Sequence, residues 1–126
     1  MSDPTGNGPG REPTDPEDVK IITLARSALA RTQARQAACL RDTDGRTYAA
    51  ASVELPHLRL SAVAVAVAMA VSSGAEGLEA VALAATEGPA DEDLAVLGDL
   101  PGRAAVLWHV DPRGQLQARL ELHASR

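Results

Sequence analysis

The spacing of apolar residues changes along the chain, and each spacing predicts one type of element. Across residues 19–29 apolar side chains recur every three or four positions, which is typical of a helix with one buried face. The preceding Asp15-Pro16 pair suits a helix start, because the carboxylate can accept from free backbone N–H groups and proline fits the first turn. We therefore predict a helix that ends near Thr32.

The next segments predict two strands and a second helix. Gln36 to Asp42 and Arg46 to Val53 have strand composition, with a turn between them at Gly45. Pro56 is expected to block further strand pairing and to precede a helix over Leu58 to Ser73. That helix is apolar nearly all round, so we expect burial on several of its sides.

The C-terminal half predicts two buried strands, a short helix and an edge strand. Apart from Glu79, Leu78 to Ala85 is a continuous apolar run, as in a strand covered on both faces, and Arg103 to Val110 is predicted to be another buried strand. Asp91 opens a short helix to about Leu97, and Gln115 to Leu122 alternates apolar and polar residues. The order α-β-β-α-β-α-β-β predicts an α/β fold: an α-β-α sandwich with a mixed five-stranded sheet and helices on its faces.

Composition refines this picture and excludes some partners. Hydrophobic residues make up 45% of the 126 residues but aromatic residues only 2%, so the core must be built from Ala, Val and Leu. With few aromatic platforms and a net charge of -5, nucleic-acid binding is not expected. Residues 1–15 are acidic and rich in Pro and Gly, which predicts a disordered tail before one domain over residues 16–126.

Cysteine content and hydropathy bear on location. The single cysteine, Cys39, excludes an internal disulfide and a multi-thiolate metal site, and its apolar neighbours predict a buried thiol. The apolar run from Leu60 to Val71 is shorter than the about 20 residues that span a bilayer. No signal peptide is visible, so we expect a cytoplasmic protein with no membrane contact.

Four short segments, together with the element order, resemble the cytidine deaminase superfamily over about residues 17–122. The segments are Asp44-Gly45-Arg46, Ser52-Val53-Glu54, Leu60-Ser61-Ala62-Val63 and Thr86-Glu87-Gly88-Pro89. The resemblance implies that Glu54 takes the position of a family residue that holds a ribose hydroxyl, with Ser52 as a shorter substitute for its neighbour. Both are candidate substrate-binding residues for a pyrimidine nucleoside.

The same resemblance implies that the metal site is lost. Ser61 and Val63 stand where the family has its first zinc ligand and catalytic Glu, and Asp93 and Val96 stand where it has two Cys. A zinc deaminase needs three protein ligands and a Glu that moves protons, and valine can do neither task. We therefore predict no catalytic residue, no metal and no cofactor. A substitute zinc site would require His57, His109, His123 or Cys39 to converge in the fold. None of these residues has the i, i+3 or i, i+4 spacing of a ligand pair on a helix.

Two further patterns have competing interpretations. The Asp91-Glu92-Asp93 run could be a divalent-metal cluster, but carboxylates also favour a helix N-terminus, which is the interpretation preferred here. Ser61 could be a nucleophile, but without evident His and Asp partners it is better explained as a small residue in the first turn of a buried helix.

Three functions remain open. The first is a non-catalytic binding or scaffolding protein with an unidentified protein partner, forming dimers or tetramers through the small side chains of helix 58–73. The second is a nucleoside sensor that uses Glu54 and Ser52 without chemistry. The third is an active cytidine deaminase with an atypical site.

Overall fold

The computed structural model describes residues 12–102 and 104–122, so residues 1–11 of the predicted disordered tail lie outside the described part. The elements, in chain order, are α1 (Pro16–Thr32), β1 (Gln36–Asp42), β2 (Thr47–Ala51), β3 (Val53–Glu54), β4 (Arg59–Leu60), α2 (Ala62–Ser72), β5 (Leu78–Ala85), α3 (Asp91–Gly98), β6 (Val106–Val110) and β7 (Leu116–Glu121).

A mixed five-stranded sheet, in the order β2-β1-β5-β6-β7, forms the centre of the molecule. β5 and β6 pair in parallel, whereas the other neighbouring strands are antiparallel. α1 packs on one face over a core that includes Cys39 and Trp108. α2 and α3 pack on the other face over a core that includes Leu40 and Tyr48. The predicted α/β class and mixed sheet are confirmed.

α1 begins and ends where local signals place it. The Asp15 carboxylate accepts from the Glu17 backbone N–H at 2.9 Å, and Pro16 occupies the first helical position. Gln33 ends the helix in a left-handed conformation, with φ of 57°. Its N–H donates to the Leu29 carbonyl at 2.9 Å, which satisfies one of the last free carbonyl groups.

A short hairpin replaces the predicted end of the second strand. Val53 and Glu54 leave the main sheet and pair antiparallel with Arg59 and Leu60. The Leu55 N–H donates to the Leu58 carbonyl at 2.8 Å and closes the turn. The prediction that Pro56 ends pairing is therefore wrong: proline sits in the turn itself, where its missing N–H breaks no ladder bond.

α2 starts later and is less buried than predicted. It begins at Ala62 because the residues from Arg59 to Leu60 are paired as β4. Its buried residues, including Ala66 and Ala70, lie on one stripe, whereas Met69 is 38% exposed and Val71 is 52% exposed. Burial on several sides is thus wrong for the single chain, and an apolar face of α2 is open to solvent.

A fully buried carboxylate organises the turn between β1 and β2. Asp42 accepts from the backbone N–H groups of Asp44 and Arg46 and from the Tyr48 hydroxyl, each at 2.9 Å. Burial raises the pKa of Asp42, but these hydrogen bonds and the Arg46 charge outweigh burial and hold the pKa below its ordinary value. Burial and the hydrogen bond to Asp42 raise the pKa of Tyr48.

The α1 face holds the predicted buried thiol and a buried cation. Cys39 is fully buried, which confirms the prediction, and burial raises the pKa of its thiol to about 11. Arg41 is also buried and pairs with Asp18 of α1 at 2.9 Å and with Glu79 of β5, so it joins the helix to the sheet. Within the described ranges, no helix combines the length and the apolar character needed to span a membrane.

Candidate functional site

An open cleft of about 1090 Å³ lies where β1 begins and β5 ends. One wall is the β3–β4 hairpin, and the other comprises residues 85–88 and the start of α3. Ser61, which precedes α2, also lines it. The ends of several elements that are distant in sequence therefore meet at the cleft.

A hydrogen bond between Ser61 and Asp93 joins the starts of α2 and α3. The Ser61 hydroxyl donates to Asp93 Oδ1 at 2.6 Å, and Ser61 Oγ accepts from the Ala64 N–H at 3.0 Å. Asp93 is 5% exposed, and its Oδ2 accepts from the Ala90 N–H at 3.3 Å. Ser61 is thus the N-cap rather than a first-turn residue, and the expectation that it lacks a carboxylate partner is wrong.

Gln36 is a residue of the cleft that the sequence pattern did not single out. Its side-chain Oε1 accepts from the Ala62 N–H at 2.9 Å, at the first position of α2. Its own backbone N–H donates to Ser52 Oγ at 3.3 Å. Because the contact with Ala62 spans 26 residues, no local spacing could have indicated it.

Both predicted substrate-binding residues line the cleft. Ser52 lies beside Gln36, and Glu54 is on the hairpin, where its carboxylate pairs with Arg35 at 3.3 Å. The Glu54 side chain is 54% exposed and therefore accessible from the cleft. The structure brings these two residues to the same cleft as Ser61 and Asp93, and their role in binding stays a prediction.

The groups at the expected zinc positions do not fit zinc. Ser61 offers a neutral hydroxyl and Asp93 one carboxylate, whereas zinc sites in proteins use three or four nitrogen, sulfur or carboxylate ligands. Val63 is fully buried in the core on the α2 face, and Val96 is half-buried on α3. In the described part of the chain, no three His, Cys, Asp or Glu side chains are grouped to hold a metal.

The alternative ligand candidates lie apart. Cys39 is in the core on the α1 face, and His57 is exposed in the hairpin turn. His109 is buried in β6 and its Nε2 lies 2.9 Å from the Ala85 carbonyl oxygen. Since a carbonyl only accepts, Nε2 carries the proton, and His109 holds the end of β5 in place. His123 lies outside the described residues.

The fold is that of known cytidine deaminases. A cytidine deaminase from Burkholderia pseudomallei is 17% identical with a TM-score of 0.71, covering 82% of this chain and 91% of that one. Cytidine deaminases from Mycobacterium leprae (18% identical, TM-score 0.62, 79% and 90% covered) and Mycobacterium tuberculosis (22% identical, TM-score 0.61, 71% and 81% covered) are also similar. No curated protein sequence matches the chain significantly.

These similarities in structure agree with a match in sequence. At such low identities the solved structures show the fold alone. The family model described as cytidine deaminase-like matches residues 14–114, which include every element of the cleft. The chain therefore belongs to the cytidine deaminase-like family.

Proposed function

We propose that this protein is a cytidine deaminase-like binding module that does not catalyse hydrolytic deamination. The observation that carries the proposal is the 2.6 Å hydrogen bond from the Ser61 hydroxyl to Asp93, at positions where the family resemblance places zinc ligands. Because the Ser61 hydroxyl is hydrogen-bonded to Asp93, the Asp93 carboxylate is the one anionic ligand at these positions. A tight zinc site needs three or four protein ligands. Val63 has no group that could move a proton during attack on a pyrimidine ring.

The test combines elemental analysis of tag-free protein with the absorbance of cytidine on incubation. We expect zinc far below one ion per chain and no fall in cytidine absorbance. Near-stoichiometric zinc together with deamination would establish an active deaminase with an atypical site instead. A triple variant, S61C/D93C/V96C, serves as positive control: Val96 follows Asp93 by one turn on the same face of α3, so three thiolates should gain zinc.

A second candidate function is non-hydrolytic nucleoside binding, and the presence of Glu54 and Ser52 in the cleft favours it. We expect cytidine or uridine to raise the melting temperature, because a ligand that binds only the folded state stabilises it. Glu54→Ala should abolish this shift. Glu76→Ala, at an exposed position outside the cleft, is the matched control and should retain it. Absence of any shift with every nucleoside would exclude this function.

Self-association is the remaining part of the proposal. The exposed apolar residues Met69 and Val71 support it, since α2 carries no charged residue on any face. A second chain packed on this helix would remove its open face from water. The measurement is the molar mass in solution by light scattering, and a monomer at all concentrations would exclude an oligomeric module.

A further inference from the structure

The cleft has an excess of negatively charged side chains. Its lining includes four carboxylates and two guanidinium groups: Glu54, Glu87, Glu92 and Asp93 against Arg35 and Arg59. Arg35 is already paired with Glu54 at 3.3 Å. The carboxylates are spread over the hairpin, the loop after β5 and α3, so the negative potential extends over the cleft rather than over one point.

Protein groups already occupy part of each helix start beside the cleft. A helix N-terminus ordinarily binds anions through its free N–H groups. In α2, the Ala62 N–H donates to Gln36 at 2.9 Å and the Ala64 N–H to Ser61 at 3.0 Å. At α3, the Ala90 N–H donates to Asp93, and three acidic residues occupy the first turn. Protein oxygens thus occupy some of the N–H groups that a phosphate would use at α2, and the acidic first turn of α3 repels an anion.

Asp93 adds a desolvated charge to this surface. It lines the cleft although only 5% of its surface is exposed. Low exposure reduces screening by water, so its attraction for a cation and repulsion of an anion exceed those of the exposed carboxylates. The net negative charge of the cleft, the groups at the two helix starts and the burial of Asp93 therefore all favour a cationic ligand over an anionic one.

We propose that the cleft takes a nucleoside-sized ligand that carries a protonated amine, and that it rejects phosphorylated ligands. The inference rests on the proposed nucleoside binding and adds the charge of the ligand. The amine is attracted by the surplus carboxylates, whereas a phosphate is repelled by the same groups, two of which lie in the first turn of α3.

The test is a charge series on one scaffold: 5′-amino-5′-deoxycytidine, cytidine and cytidine 5′-monophosphate, compared by calorimetry. We expect the amine to bind about three- to tenfold more tightly than cytidine, as for one or two partly exposed ion pairs, and the monophosphate to bind most weakly. Added salt should reduce these differences, because it screens exposed charges.

Variants separate charge from shape. Glu87→Gln combined with Glu92→Gln changes two exposed residues of the cleft and should bring the three affinities together while cytidine still binds. Glu76→Gln, exposed and outside the cleft, should change nothing. Equal affinities, or tightest binding of the monophosphate, would overturn the inference and leave nucleoside binding intact. Binding of none of the three would overturn both proposals.

Discussion

At the scale of single residues, Asp42 is the side chain on which stability should depend most. It is fully buried, and three donors at 2.9 Å surround its carboxylate. A side chain that fixes both strands of a turn in this way has no equivalent replacement, because asparagine loses the charge that these donors stabilise.

We predict that Asp42→Asn lowers the free energy of unfolding by about 3 kcal/mol at neutral pH. The folded-state pKa of Asp42 is below its unfolded value, so its contribution is complete above the unfolded pKa of about 4 and is lost as pH falls through the folded pKa. Urea denaturation at a series of pH values should show the gap between the two proteins closing in acid. Asp44→Asn, at an exposed neighbour, is the control, and a gap independent of pH would contradict the prediction.

Cys39 permits a second measurement at this scale. Burial raises its pKa to about 11, and the thiolate is the reactive form, so the native thiol should resist alkylation near pH 8. We expect modification only as fast as the protein unfolds, measured by mass spectrometry with and without urea. Rapid labelling of the native protein would show that the α1 face opens.

Whether the surroundings of a residue can be predicted from the sequence depends on how far apart in the chain the contacting residues are. The burial of Cys39 was evident because its immediate neighbours are apolar. The partners of Gln36 and Ser61 were not evident, since these contacts join residues 26 and 32 positions apart. The sequence marked Ser61 and Asp93 individually through a family resemblance, but their mutual hydrogen bond required the fold.

At the scale of elements, local signals decided which boundaries were predictable. α1 has an aspartate cap, a proline and a clear apolar period, and its predicted limits are confirmed. The predicted start of α2 is too early because β3 and β4 are two residues long, too short to show a period of two in the sequence. Their pairing depends on the turn at Leu55 to Leu58 rather than on patterning.

The link between α2 and α3 gives an element-scale prediction. Ser61→Ala and Asp93→Ala should each cost about 1–2 kcal/mol of unfolding free energy, because the first removes a helix cap and the second leaves the Ser61 hydroxyl and the Ala90 N–H without their acceptor. The double variant should cost less than the sum, with a coupling of at least about 0.5 kcal/mol. Chemical denaturation measures all three. Ser72→Ala, at the exposed far end of α2, is the control, and strict additivity would refute a direct link.

At the scale of the whole molecule, the order of elements predicted the sheet but not the cleft. Whether a strand alternates apolar and polar residues or is apolar throughout depends on which of its faces are covered. These patterns, with the order of the elements, therefore predicted the mixed sheet correctly. The cleft arises where β1, β5, the hairpin and two helix starts meet, and its volume is a property of their arrangement. Of the residues that line it, the family resemblance predicts a binding role only for Glu54 and Ser52.

The open face of α2 yields a prediction at this scale. We expect the wild-type protein to have at least twice the chain mass of 13.0 kDa in solution, and Val71→Asp to reduce it toward that mass, because a buried unpaired charge opposes association. Light scattering or sedimentation measures this. Val19→Asp is the matched control, since Val19 is 45% exposed but lies on α1. An unchanged mass for the Val71 variant would place any interface elsewhere.

The two large aromatic side chains lie on opposite faces of the sheet. Trp108 is in the α1-side core with the Arg119 guanidinium 5.6 Å from its ring, and Tyr48 is in the α2-side core. The chain has one Trp, one Tyr and no Phe, so each face contains a single fluorophore. Tryptophan and tyrosine emission will therefore follow the melting of each face separately, without labels. Coincident transitions would mean that both cores unfold as one cooperative unit, and separated transitions would reveal which helix layer loosens first.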